Sequence, residues 1–224
     1  MIRPVYLKQL EVGPMANFVY LVGDPETREV VVVDPAWQVD TILKTAESEG
    51  LKITGALITH AHYDHCNGLD ELLGKLDVPV YVNAEEDAFV RSLGKGQNLF
   101  GSFPESSTRK LRSGDTVPAG KVRIEAIHTP GHTPGSQCFL AGGRLLTGDT
   151  LFVRGCGRVD LPGGNAKDMY ESLTGKIAKL PGDTELYPGH FYGEEPRSKV
   201  SEEKAKNPYL LCSSLDVFLG MLGR

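Results

Sequence analysis

Strand-like runs alternate with helical periods in two similar-looking halves, residues 1–110 and 120–195. This pattern predicts an α/β fold (α+β in some schemes), built as two packed sheets with helices outside. Two observations carry the prediction. The run EVVVVD at 29–34 is β-branched and apolar, as expected of a buried strand. The stretch 167–180 is amphipathic with a helical period, as expected of a helix lying on such a sheet.

The elements follow in order. Residues 4–12 and 17–22 are short apolar-rich runs separated by Gly13-Pro14, and Gly23-Asp24-Pro25-Glu26 is a turn before the strand at 29–34. Helical spacing at Ile42, Leu43 and Ala46 predicts a helix over 39–49, with Gly50 as its C-cap. A strand at 53–58 runs into Thr59-His60-Ala61-His62, followed by a short helix at 70–76 and a strand at 80–82. Residues 91–107 hold three glycines, Pro104 and three serines beyond Ser92, with little periodicity. They predict a long surface loop, of the kind that serves as a binding lid. Strand signals return at 122–127, 137–140 and 144–147, before the helix at 167–180. A strand at 185–187 ends at Pro188-Gly189-His190, and helices at 200–206 and 209–222 flank Pro208. The expectation is a single domain over 1–224, with its core at about 1–195 and short C-terminal helices over 198–224.

Composition narrows the classes. A chain of 224 residues buries roughly 70% of its unfolded surface and needs no disulfide staples. Net charge is −5 with no long block of like charge, which argues against a nucleic-acid partner. No run of 18 apolar residues occurs, so no membrane span or membrane partner is expected. Residues 1–12 lack the apolar core of a signal peptide, so the expected location is cytoplasmic. Cys66, Cys138, Cys156 and Cys212 form no CxxC pair and are expected to be free thiols.

The chemistry is concentrated in His60-Ala61-His62-Tyr63-Asp64-His65, at the end of a predicted strand. In an extended stretch His60 and His62 point to one side, and the turn that follows lets Asp64 and His65 point elsewhere. One metal can take the HxH pair and a second the DH pair. His132 sits between two turn glycines in GHTPG, Asp149 follows the strand RLLT, and His190 follows a strand in PGH. Imidazole nitrogen and carboxylate oxygen suit zinc, iron or manganese. A lone histidine is usually a core or surface residue, whereas five placed histidines and two aspartates point to a metal centre. His128 stands outside the pattern, as a supporting or ordinary surface residue.

In the motifs THAHYDH, GHTPG, LLTGDTLF and YPGH, over about residues 15–195, the chain resembles the metallo-β-lactamase superfamily. The resemblance implies a four-layer αβ/βα sandwich with the site at one edge. It implies a first metal on His60, His62 and His132, a second on Asp64, His65 and His190, and Asp149 between them. His62 in place of glutamate sets the chain apart from flavodiiron-type relatives, and Asp149 in place of cysteine from true β-lactamases. The stretch GDTLFVRGCGRVD resembles the glyoxalase II (hydroxyacylglutathione hydrolase) group and the persulfide dioxygenases. It implies substrate binding by Arg158, with Arg154 beside it, through a carboxylate such as those of glutathione. Asp160 stands where glyoxalase II carries an aromatic residue, and RGCGRVD is closer to the RGCGRTD of persulfide dioxygenases.

The expected function is metal-dependent hydrolysis of a thioester such as S-hydroxyacylglutathione. Two divalent ions, zinc first with iron or manganese as alternatives, would share a water, lower its pKa and make the bridging hydroxide the nucleophile. Asp64 and Asp149 are the catalytic carboxylates, and no cysteine nucleophile is needed. The alternative is an iron-dependent glutathione persulfide (sulfur) dioxygenase, with one Fe(II) on His60, His132 and Asp149. A non-catalytic binding domain on the same scaffold ranks third, because the ligand set is intact. The expected partner is a small glutathione-linked or other thioester substrate, and a homodimer is compatible with the sequence.

Overall fold

The computed structural model describes residues 4–93 and 98–223. One sheet contains β1 (Tyr6–Val12), β2 (Asn17–Gly23), β3 (Glu29–Val33), β4 (Lys52–Leu57), β5 (Val80–Asn83) and β6 (Thr108–Leu111), side by side in that order. β1 to β3 are antiparallel, and β3 to β6 run parallel. Parallel neighbours require crossovers, and helices form them here. α1 (Val39–Ser48) links β3 to β4, α2 (Tyr63–Cys66) and α3 (Leu69–Lys75) link β4 to β5, and α4 (Ala84–Ser92) begins the connection to β6.

The other sheet begins with a meander, β7 (Thr116–Ala119), β8 (Val122–His128), β9 (Gln137–Ala141) and β10 (Arg144–Gly148). A hairpin of β11 (Leu151–Phe152) and β12 (Gly155–Cys156) leaves this sheet, and α5 (Ala166–Gly175) follows. The chain then returns as β13 (Glu185–Pro188), parallel to β10, with β14 (Ser198–Lys199) antiparallel at the edge. α6 (Val200–Lys206) and α7 (Leu215–Met221) close the chain.

Strand periodicity sorts the apolar side chains into layers. Along β2, Val19 and Leu21 pack under the helices, while Phe18, Tyr20 and Val22 face the other sheet. β3 does the same with Val30 and Val32 against Val31 and Val33. A third cluster, with Leu145, Met169, Leu173, Leu186 and Phe218, joins the second sheet to α5 and α7. The layers are therefore helix, sheet, sheet, helix, the expected αβ/βα sandwich. Ile42, Leu72 and Leu145 are completely buried, one or more in each outer layer, and truncating any of them to alanine costs roughly 2–5 kcal/mol.

Several local expectations change. The halves are unlike in topology: the first sheet has three parallel pairs and the second has one. Arg91 and Ser92 end α4 and do not begin a loop. Residues 94–97 of the expected 91–107 loop lie outside the described residues. Beyond them Phe100 and Phe103 are buried in the core under the helices, so this stretch packs as well as connects. The helix expected over 209–222 shrinks to α7, capped by the Ser214 hydroxyl oxygen, which accepts from Val217 N. The 167–180 helix is α5 followed by a 3₁₀ turn, Ile177–Lys179. Among the described residues, no helix is long and apolar enough to cross a membrane.

Candidate metal centre

The loops at the C-terminal ends of β4, β10 and β13, together with the β8–β9 turn, bring all seven expected ligand residues together. His60 and His62 follow β4, Asp64 and His65 sit in α2, and His132 lies between β8 and β9. Asp149 follows β10, and His190 follows β13. The five histidines are nearly fully buried, and Asp149 is 9% exposed. Two clusters result. His60, His62 and His132 offer ring nitrogens within 4.8 Å of one another, and so do the ligand atoms of Asp64, His65 and His190.

Asp149 lies between the clusters. Its Oδ2 is 3.6 Å from His132 Nε2 and 3.5 Å from His190 Nε2, and its Oδ1 is 3.4 Å from His65 Nε2. Within the second cluster, His65 Nε2 is 3.0 Å from His190 Nε2, and Asp64 Oδ2 is 3.4 Å from the first of these nitrogens and 3.3 Å from the second. Ligands at about 2.0–2.1 Å around a tetrahedral ion stand about 3.3 Å apart, so these separations match the edges of a coordination polyhedron. A second test is hydrogen bonding. His60 Nε2, His62 Nε2, His132 Nε2 and Asp149 Oδ1 are buried with no hydrogen-bond partner. Such orphans are costly, and a cation seated among them would satisfy them. On both counts the residues fit metal ions.

Four of the five rings are oriented from behind, those of His60, His65, His132 and His190. His65 Nδ1 lies 3.0 Å from Asp34 Oδ2, and His190 Nδ1 2.9 Å from the Met15 carbonyl. His132 Nδ1 lies 2.7 Å from the Arg158 carbonyl, and His60 Nδ1 3.0 Å from Thr59 Oγ1. Donating through Nδ1 leaves Nε2 of each ring free to coordinate. The Thr59 hydroxyl in turn donates to Asp34 Oδ2, and Thr59 N donates to Asp34 Oδ1. Asp34 also approaches His60 and His65 as a third possible cluster, but these bonds make it a hydrogen-bond hub. Asn17 Nδ2 donates to Asp64 Oδ2 at 2.9 Å, while Asn17 Oδ1 accepts from Trp37 Nε1.

Buried Glu86 ties two ligand loops together. Its Oε1 accepts from the N–H of Ala61, the residue between His60 and His62. Its Oε2 accepts from the Thr133 hydroxyl and the Gly135 N–H, just past His132. Burial raises its carboxyl above the usual range, and the three hydrogen bonds pull it part of the way back. Gly189 and Gly157 provide the room: a Cβ at Gly189 would stand 2.4 Å from Asp149 Oδ1, and one at Gly157 1.8 Å from the Asp149 carbonyl oxygen.

The clusters differ electrostatically. Burial and neighbouring imidazoles hold His60 well below its usual pKa and His62 at about 3. Burial also lowers His132, despite Asp149. In the second cluster burial acts the same way but is outweighed. Asp149, Asp34 and Asp64 raise His65, and Asp149 with Asp64 raises His190 to about 10. Burial disfavours ionised Asp64 and Asp149, yet the adjacent His65 and His190 hold both carboxyls below the usual range.

The remaining expected residues are placed elsewhere. Arg154 donates to the buried carboxylate of Glu203 on α6, so its guanidinium is held by the C-terminal helix. Arg158 makes two 2.8 Å hydrogen bonds to Asp160 at the surface, and what it gives the centre is its carbonyl. His128 is partly buried and touches the Pro134 carbonyl, outside both clusters. Cys66 is buried, and burial pushes the Cys156 thiol up to about 12, so neither is an activated nucleophile. Asp34 was discoverable from its place at the end of EVVVVD. Asn17 and Glu86 carry no comparable signal, since their partners lie 20 to 49 residues away.

The family model described as Metallo-beta-lactamase superfamily matches residues 12–190. A probable polyketide biosynthesis zinc-dependent hydrolase, BaeB of Bacillus velezensis, is 32% identical over 209 residues, covering 93% of this chain and 88% of its own. The human mitochondrial persulfide dioxygenase ETHE1 is 33% identical over 231 residues, covering 98% of this chain and 81% of its own. The crystal structure of ETHE1 from Myxococcus xanthus superposes with a TM-score of 0.84 at 32% identity, covering 98% of this chain and 90% of that one.

Proposed function

The chain belongs to the metallo-beta-lactamase superfamily, and from that premise we propose that it is a two-metal thioester hydrolase. The position of Asp149 carries the reading. One carboxylate within 3.4–3.6 Å of nitrogens from both clusters is what a pair of neighbouring ions needs between them. The zinc-dependent hydrolase among the relatives supports it.

In this reading His60, His62 and His132 would hold one ion and Asp64, His65 and His190 the other, with Asp149 shared between them. When bound, the ions supply Lewis acidity to the substrate carbonyl and lower the pKa of a water toward neutrality. The protein supplies positioning. The Nδ1 hydrogen bonds fix the ring planes, and Asn17 fixes the Asp64 carboxylate. Hydrolysis joins the water oxygen to the acyl carbon and breaks the carbon–sulfur bond, whose electron pair leaves on sulfur. Asp64, with a side chain 16% exposed, is the ligand most open to solvent, and the proton that the water gives up ends on the departing sulfur.

A second reading, an iron-dependent persulfide dioxygenase, is favoured by the identity with human ETHE1 and by the His60, His132, Asp149 face. The two separate in one assay. Purified enzyme loaded with zinc should cleave a thioester under anaerobic conditions and release one thiol per acid formed. Rapid oxygen uptake with glutathione persulfide, dependent on iron and unaccompanied by thioester cleavage, would overturn the hydrolase.

A further inference from the structure

Eight large hydrophobic side chains are exposed among the described residues, and five of them adjoin the metal centre. Tyr63 precedes Asp64, and its N–H donates to the Leu99 carbonyl. The Met15 carbonyl holds His190 Nδ1, and Phe191 and Tyr192 follow His190. The Tyr192 ring stacks on the His190 ring at 4.4 Å with only 10° between the planes. These side chains are 38–57% exposed, and apolar side chains left exposed around a site mark a surface kept for a ligand. A glutathione conjugate brings two carboxylates, and the guanidinium groups of Arg154 and Arg158, expected to receive them, are both held by carboxylates of the protein.

We propose that this rim selects the acyl group, so that the enzyme takes thioesters bearing an apolar chain or ring, seated against Tyr63, Phe191 and Tyr192, in preference to the small hydroxyacyl group of a glutathione conjugate. The proposal rests on the hydrolase reading for its chemistry and on the rim for its specificity. The thiol portion is left facing solvent and contributes little to recognition.

The test uses the zinc-loaded full chain and S-acyl-N-acetylcysteamine thioesters from acetyl to octanoyl, with S-lactoylglutathione alongside. Each buried methylene adds affinity, and with partial burial kcat/KM should rise about twofold per methylene, above tenfold across the series. Octanoyl thioester should exceed S-lactoylglutathione. Phe191→Ser and Tyr192→Ser should lose more on octanoyl than on acetyl substrate, flattening the slope. Binding is read without turnover through Trp37, the single tryptophan, whose ring lies edge-on to Tyr63 at 6.3 Å. The uncleavable thioether S-octyl-N-acetylcysteamine should change its fluorescence at lower concentration than the S-ethyl analogue. Thioester cleavage with a flat chain-length profile, or a preference for S-lactoylglutathione, overturns the specificity and leaves the hydrolase standing. Chain-length-dependent thioether binding without any thioester cleavage overturns the hydrolase and leaves the apolar rim.

Discussion

The two ligand clusters, built from similar residues a few ångströms apart, are prepared in opposite ways. His60, His62 and His132 are kept neutral by burial and mutual repulsion, with their orphaned Nε2 atoms turned inward. His65 and His190 are surrounded by Asp34, Asp64 and Asp149, which favour their protonated forms. The first cluster therefore resembles an empty set of lone pairs, whereas the second is already compensated by protons. An ion entering the first gains coordination directly, and an ion entering the second must displace protons. The difference arises from where the carboxylates sit, since histidine dominates both clusters.

Removing the shared carboxylate should erase the contrast and have the largest effect. Asp149→Ala should lose at least one ion and nearly all hydrolysis, more than about 100-fold, while circular dichroism stays native because the sheets pack elsewhere. A folded, fully active Asp149→Ala protein would contradict its place between the ions. Damage limited to one cluster should be smaller. Glu86→Gln keeps one good acceptor where two were used, and it should weaken the first ion by about 10-fold or more. Asn17→Ala frees Asp64 and should weaken the second ion by a similar factor. Stepwise titration with Co(II), followed by absorption, distinguishes the steps. Equal effects of both variants on both steps would mean that the clusters are not separately supported.

Acidity sharpens the comparison. His190 is raised from an ordinary value near 6.5 to about 10 in the metal-free protein. The stability this protonation lends the metal-free fold is complete below about 6.5 and disappears as pH rises through about 10. The metal competes for the same nitrogen, so affinity at the second cluster should climb across that window by about tenfold per pH unit for each proton displaced. The first cluster should change little over the same range. Parallel pH slopes for the two binding steps would count against the contrast. The smallest effect belongs to Arg158→Ala. It removes an exposed ion pair worth roughly 0–1 kcal/mol but keeps the carbonyl that orients His132, so first-ion affinity should change less than about threefold.

The seven residues that gather at the centre were legible in the sequence because they lie in short runs after strands, and three of them, His132, Asp149 and His190, sit beside a glycine. The layers were legible because β2 and β3 divide their side chains by alternation. The supporting residues were harder to find. Glu86 reaches Ala61, Thr133 and Gly135 only once the sheets have docked, and no short-range pattern encodes that. Its helix did carry a signal that periodicity passed over: Asn83 caps α4, and Glu85, Glu86 and Asp87 complement its N-terminal dipole. The C-terminal helix was overextended because Asn207 and Pro208 form a junction. The Asn207 side chain donates to the carbonyls of Phe152 and Gly155, a tertiary contact that local propensity cannot anticipate.

Neither sheet carries a complete cluster. His60, His62, Asp64 and His65 come from connections of the first sheet, and His132, Asp149 and His190 from connections of the second. An ion in either place would therefore act as a rivet across the seam, and its binding energy would count toward folding. At a free concentration 1,000 times its dissociation constant, one ion adds about 4 kcal/mol of resistance to unfolding. Metal supply would thus set how long the chain survives as well as whether it works. A copy made during scarcity would be inactive and more readily opened along its seam, exposing the apolar layer between the sheets to proteases.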